Sequence, residues 1–137
     1  MKRGIMLVSH GKLASELKNS VGMITGSVDD IYCVCLENGE GIEKFTEKLN
    51  SEIGKLEDYE EILIFADLYG GSPCNTVVKH LVNDDKYKII SGMNISMVIT
   101  AVLNTEEEVD SLMNVGRNAI IDVKEIYRRM SNDEEED

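Results

Sequence analysis

His10, in Ser9-His10-Gly11, is the residue of this chain best suited to chemistry. A carboxylate far downstream matches it: Asp67, at the head of Asp67-Leu68-Tyr69-Gly70-Gly71-Ser72-Pro73-Cys74-Asn75. A neutral imidazole can attack phosphorus through one ring nitrogen if the other keeps its proton. A carboxylate bonded to that N–H fixes the tautomer and stabilises the charge left on the ring. The incoming group carries about two negative charges and therefore needs donors. A helix beginning near Ser72 offers free backbone N–H groups and the positive end of its dipole. Gly70 and Gly71 let the backbone approach without a Cβ in the way. The Ser72 hydroxyl can cap that helix or donate to a phosphoryl oxygen, and Gly11 leaves the far side of the histidine open. The chemistry these residue types suggest is phosphoryl transfer through a histidine, with Asp67 bonded to the other nitrogen of His10 and the helix start near Ser72 receiving the phosphate.

Each part also has an ordinary explanation. A histidine after a strand is commonly structural, an aspartate at a strand end commonly caps a loop, and Gly-Gly-Ser-Pro starts helices in many α/β proteins. Their combined placement favours function. Both residues close apolar runs that read as buried parallel strands: Ile5-Met6-Leu7-Val8 before His10 and Ile62-Leu63-Ile64-Phe65-Ala66 before Asp67. In open α/β sheets, ligands sit just past the carboxyl ends of such strands.

The elements that must position them follow from periodicity. Strand one spans Arg3 to Val8. Leu13, Leu17, Val21 and Ile24 recur at helical spacing, giving a helix from Lys12 to about Thr25, with Gly26 as its stop. Strand two is Ile31 to Leu36. Ile42, Phe45, Leu49, Ile53 and Leu56 form the second helical stripe. Strand three is Glu61 to Ala66. A helix capped by Ser72, with Pro73 in its first turn, runs to about Asn83. Strand four is Tyr87 to Ser91, followed by a short helix from about Ser96 to Leu103. Thr105 can cap a helix from Glu106 to about Arg117, whose three leading glutamates oppose the dipole. Ala119 to Val123 reads as a fifth strand. The order implies a doubly wound parallel sheet covered on both faces.

The chain has 137 residues, enough for one domain with a proper core. We expect that domain over residues 1–130, followed by an acidic, irregular tail over 131–137. The net charge is −12, with five acidic residues from Asp133 to Asp137, which argues against nucleic acid as a partner; it serves solubility first and is compatible with a basic protein partner. No apolar run approaches the roughly 20 residues that span a bilayer, and Met1-Lys2-Arg3-Gly4 leads into a strand rather than a signal peptide. A cytoplasmic protein is expected. Cys33, Cys35 and Cys74 give no disulfide framework. Cys33 and Cys35 share one strand face as small apolar residues, and Cys74 is an inert helix thiol. His80, mid-helix beside Lys79, is expected in solvent without a role. No Cys/His spacing suits zinc, and no cofactor is expected.

Three ordered segments carry a family resemblance: Ser9-His10-Gly11-Lys12-Leu13-Ala14, Asp67 to Asn75, and Gly92-Met93-Asn94-Ile95-Ser96-Met97. Over Gly4 to Lys124 the chain resembles the IIA proteins of the mannose family of the bacterial sugar phosphotransferase system. The resemblance implies four parallel strands plus a C-terminal antiparallel strand, near Ala119 to Val123, exchanged across a homodimer. It implies a phosphotransferase in which His10 takes a phosphoryl group from phospho-HPr. His10 would pass it to a separate IIB protein, with IIC/IID membrane components downstream. Asp67 would bond the other nitrogen of His10, and Ser72 and Gly71 would hold the phosphoryl oxygens, without a metal. Other readings keep part of this: a dihydroxyacetone kinase relay, a regulatory module switched by phosphorylation of His10, or an aspartate carrier at Asp67.

Overall fold

The computed structural model describes residues 2–136 and places the chain in one α/β layer structure. Its elements are β1 (Arg3–His10), α1 (Leu13–Thr25), β2 (Ile31–Leu36), α2 (Ile42–Gly54), β3 (Glu61–Ala66), α3 (Ser72–Leu81), β4 (Tyr87–Ser91), α4 (Ile95–Leu103), α5 (Val109–Asn118) and α6 (Val123–Glu136). All strand pairings are parallel, in the order β2-β1-β3-β4. Strands two, three and four fall where the sequence places them. β1 extends two residues further than expected, so that His10 is its last residue.

The strands are apolar on both faces because helices cover both. In β1 the alternation sorts cleanly. Met6 and Val8 face a core built with Phe45 and Leu49 of α2 and Val77 and Leu81 of α3. Ile5 and Leu7 face a second core with Ala14 and Val21 of α1, Val98 and Ala101 of α4 and Leu112 of α5. Burying one such aliphatic side chain contributes about 1.5–3 kcal/mol, so both cores pin the register of β1 and with it the height of His10.

The strand order reverses direction between β1 and β3. The first crossover leads outward to β2, and the second returns across β1 to β3. That reversal opens a crevice at the carboxyl ends of β1 and β3, the place where open α/β sheets bind ligands. His10 and Asp67 stand at its two sides.

Three expectations are corrected in detail. Gly71, not Ser72, is the N-cap of α3, and Ser72 is its first residue. α5 begins at Val109 with Glu108 as its N-cap, so Thr105 caps nothing and Glu106 to Glu108 precede the helix. The cause is visible: Asn104 Oδ1 accepts from the Glu106 amide at 3.1 Å, and the buried Arg3 donates from Nη1 to the Glu107 carbonyl at 2.8 Å. These contacts hold 104–107 as a turn. The expected strand over Ala119 to Val123 is not formed in the single chain, because two helix ends consume it. The Ala119 amide bonds the Val115 carbonyl, and Asp122 accepts from the Glu125 and Ile126 amides.

α6 carries on through 131–136, where acidic composition had suggested irregular chain; glutamate is a good helix former. Asp137 lies outside the described residues. Among the described residues no helix is long and apolar enough to cross a membrane.

Candidate active site

β1 delivers His10 to the rim, and β3 delivers Asp67 beside it. The link between the strands continues past their ladder: the Asp67 amide donates to the Val8 carbonyl at 3.2 Å. Asp67 Oδ2 then accepts two hydrogen bonds from one residue. The His10 backbone N–H reaches it at 2.9 Å, and His10 Nδ1 lies at 2.9 Å from the same oxygen. A carboxylate accepts and does not donate, so Nδ1 carries the proton and Nε2 is left with its lone pair. The Asp67 side chain is 12% exposed and that of His10 46%. The carboxylate is thus largely withdrawn from water while the ring stays accessible. Asp67 Oδ1 is buried with no hydrogen-bond partner among the described residues.

The loop after β3 brings the other parts. Gly70 adopts φ +82°, which glycine tolerates and L side chains rarely do. Gly71 comes up against the imidazole: a Cβ built on it would stand 2.6 Å from His10 Cε1 and 3.3 Å from Nε2. Asn75 braces this loop, donating from Nδ2 to the Gly70 carbonyl at 3.1 Å. α3 starts here with Pro73 in its first turn. Proline has no N–H, and the Asn75 amide bonds the Gly71 carbonyl at 2.9 Å. The first-turn amides left for an anion are those of Ser72 and Cys74. Thr76 Oγ1 donates to the Ser72 carbonyl at 2.8 Å and ties down that first turn.

The four residues singled out in the sequence therefore meet in one place. His10 and Asp67 are hydrogen-bonded, Gly71 touches the reactive edge of the ring, and Ser72 opens the helix beside it. Cys74 is buried in the first turn of α3, and His80 is exposed on its far part. Cys33 and Cys35 lie half-buried against the second core. Burial pushes the Cys33 thiol up to about 12.

Comparison with known proteins decides the family. A family model described as "PTS system fructose IIA component" matches residues 4–115. This chain belongs to that IIA family. Its match to the mannose-specific EIIAB component of Escherichia coli (strain K12) is 28% identical and covers 79% of this chain but only 33% of that protein. The chain thus spans about a third of that relative's length. The fructose-specific EIIA component of Bacillus subtilis is 28% identical over 69% of this chain and 65% of its own. Among solved structures, the IIA protein associated with the fucose utilization operon of Streptococcus pneumoniae superposes with a TM-score of 0.85. It is 26% identical and covers 93% of this chain and 97% of that one.

Asn94, in the third of the segments that carry the resemblance, caps α4 by accepting from the Met97 amide and also donates to the Gly116 carbonyl.

Proposed function

We propose that this IIA protein is a phosphoryl carrier of a sugar phosphotransferase relay. Nε2 of His10 takes a phosphoryl group from phospho-HPr and hands it to a IIB partner. The N–P bond of the donor breaks as the Nε2–P bond forms, and the donor imidazole leaves with the bonding pair. Proximity and alignment carry most of such a step. Asp67 keeps Nδ1 protonated and stabilises the positive charge that phosphorylation leaves on the ring. The Ser72 hydroxyl and the amides of Ser72 and Cys74 take the phosphoryl oxygens, and bare Gly71 leaves them room. Transfer to IIB reverses the same events. No metal is required, because fixed donors supply the stabilisation.

The observation that carries this reading is the pair of hydrogen bonds from His10, one from its backbone N–H and one from Nδ1, to Asp67 Oδ2. It fixes backbone and tautomer together and leaves Nε2 beside Gly71 and the start of α3. Residues 1–130 act as one carrier domain in the cytoplasm, where the donor relay operates, and IIC/IID complete the sugar uptake system.

The reading includes a second copy of the chain. β4 ends the sheet, so its outer edge has no strand partner among the described residues. Ile120, Ile121, Val123, Ile126, Tyr127 and Met130 are all exposed on the segment after α5. An antiparallel strand from 119–123 of a partner would pair with such an edge and cover such side chains.

The test is phosphoryl acceptance. The protein is incubated with phosphoenolpyruvate, enzyme I and HPr, and intact mass is followed for wild type and His10→Ala. One phosphate adduct on wild type alone, labile to acid and stable to base, is the expected result. An adduct that survives in His10→Ala overturns the assignment.

A further inference from the structure

We propose that Ser9 is a positioning residue for the phosphoryl-accepting histidine; the inference rests on the carrier reading above. Ser9, Arg3 and Thr76 are the buried polar or charged side chains among the described residues. Arg3 is consumed by its pair with Glu61, and Thr76 by the Ser72 carbonyl. Ser9 has a different task. It lies on the opposite face of β1 from His10, against α1, and is fully buried. Its Oγ accepts from the Ala14 amide at 2.8 Å and donates to the Gly11 carbonyl at 3.3 Å.

These two bonds have one consequence for α1 and another for His10. Lys12 occupies the N-cap position of α1 but makes no side-chain cap. Ser9 supplies that cap from five residues upstream, satisfying an amide of the first turn that α1 cannot satisfy itself. In doing so it closes a ring over His10, Gly11, Lys12 and Leu13. Gly11 sits inside this ring at φ +58°, and its amide donates to the Leu36 carbonyl of β2 at 2.7 Å. The backbone of His10 is thus fixed on its C-terminal side by Ser9 through Gly11, and on its N-terminal side by Asp67 through the His10 amide.

A ring that is 46% exposed has few packing contacts to orient it, so its aim depends on where the backbone holds Cα. The margin is small. Gly71 already crowds Cε1, while Nδ1 must stay within hydrogen-bond reach of Asp67. Loosening the Ser9 ring lets the imidazole tilt away from Oδ2, which weakens its hold on the tautomer and moves Nε2 off the line of attack.

The experiment uses the full chain and a small donor, phosphoramidate, so that protein docking plays no part. Its P–N bond breaks, the Nε2–P bond forms, and ammonia leaves. The initial rate is measured for wild type, Ser9→Ala and Ser9→Thr, and the His10 tautomer ratio is read from imidazole ¹⁵N shifts. The expected result for Ser9→Ala is a rate lower by about 10- to 100-fold, with a rise in the Nε2–H tautomer. Ser9→Thr, which keeps the hydroxyl, restores both. Should Ser9→Ala fail to fold, Ser9→Cys keeps the volume and weakens both hydrogen bonds, and it is read in the same way. A folded Ser9→Ala or Ser9→Cys protein with the wild-type rate and tautomer ratio reduces Ser9 to a helix cap and overturns the proposal. If wild type takes no phosphoryl group from phosphoramidate or from phospho-HPr, the carrier reading fails, and the tautomer ratio alone decides the role of Ser9.

Discussion

Gly71 and His10 are in a contact that admits no side chain: a Cβ on Gly71 would stand 2.6 Å from Cε1 of the imidazole. The φ of Gly71 is −75°, so its backbone would accept alanine without strain. The glycine is required by the ring beside it. Gly71→Ala should therefore fold, push the imidazole aside and slow phosphoryl acceptance by about 10- to 100-fold. Gly70→Ala is the opposite case, because a Cβ there meets open space but φ is +82°. It should cost about 1–2 kcal/mol of stability. Urea unfolding and initial rates of phosphorylation on both variants separate the two effects. Wild-type rates in Gly71→Ala would show that the contact is slack.

Asp67→Asn keeps the shape of the side chain and removes its charge. The position of Oδ2 must accept from the His10 backbone N–H, so the amide oxygen takes it, holds Nδ1 through a weaker bond and no longer stabilises the positive charge that phosphorylation leaves on the ring. Phosphoryl acceptance should fall by a factor on the order of 10²–10⁴, with the circular dichroism spectrum unchanged. Single-turnover rates give the answer. A loss below threefold would leave Asp67 as a loop brace.

At the opposite end of the sheet, Tyr59 is buried with its ring against Gly4, and its hydroxyl donates to Asp30 at 2.6 Å. Tyr59→Phe removes that charge-assisted bond and should lower stability by about 1–3 kcal/mol. Phosphoryl acceptance should stay at the wild-type rate, since nothing at the His10 rim depends on it. A matched drop in rate would show that the two ends of the sheet are coupled.

Burial holds the Cys33 thiol neutral, raising it from an ordinary 9.0 to about 12. Its Sγ also lies 3.5 Å from the Ala14 carbonyl, as a donor. With the folded value raised, the native state holds this proton where the unfolded chain has lost it. Stability is therefore complete below about pH 9 and falls as pH rises from there towards 12. Cys33→Ala should flatten the first part of that decline in chemical-denaturation curves taken at pH 8, 9 and 10. An unchanged slope would mean that the thiol titrates freely.

The sequence discloses the site better than its supports. Hydrophobic runs place β2, β3 and β4 without error, because buried parallel strands have to be apolar on both sides. His10, Asp67, Gly71 and Ser72 stand out because their types are rare in that combination. What composition hides is competition for hydrogen bonds. Glu106 to Glu108 look like a first helical turn, yet Arg3 and Asn104 hold that stretch as a turn before the helix. Ala119 to Val123 looks like a strand, yet within one chain it closes α5 and opens α6. Ser9 stands just past the strand that the sequence marks, and a cap acting across five positions leaves no local pattern to give it a role. The Gly71–His10 contact is likewise a fact of three dimensions, as the two residues lie 61 positions apart and meet only because β1 and β3 pair side by side.

The most direct measurement is the position of the phosphoryl group on the imidazole. Protein labelled with ¹⁵N in its histidines is phosphorylated by phosphoenolpyruvate, enzyme I and HPr, and the His10 ring is read by ¹H–¹⁵N and ³¹P NMR. The account predicts phosphorus on Nε2, with Nδ1 still protonated and hydrogen-bonded to Asp67. Phosphorus on Nδ1, or on the Asp67 carboxylate, would contradict it.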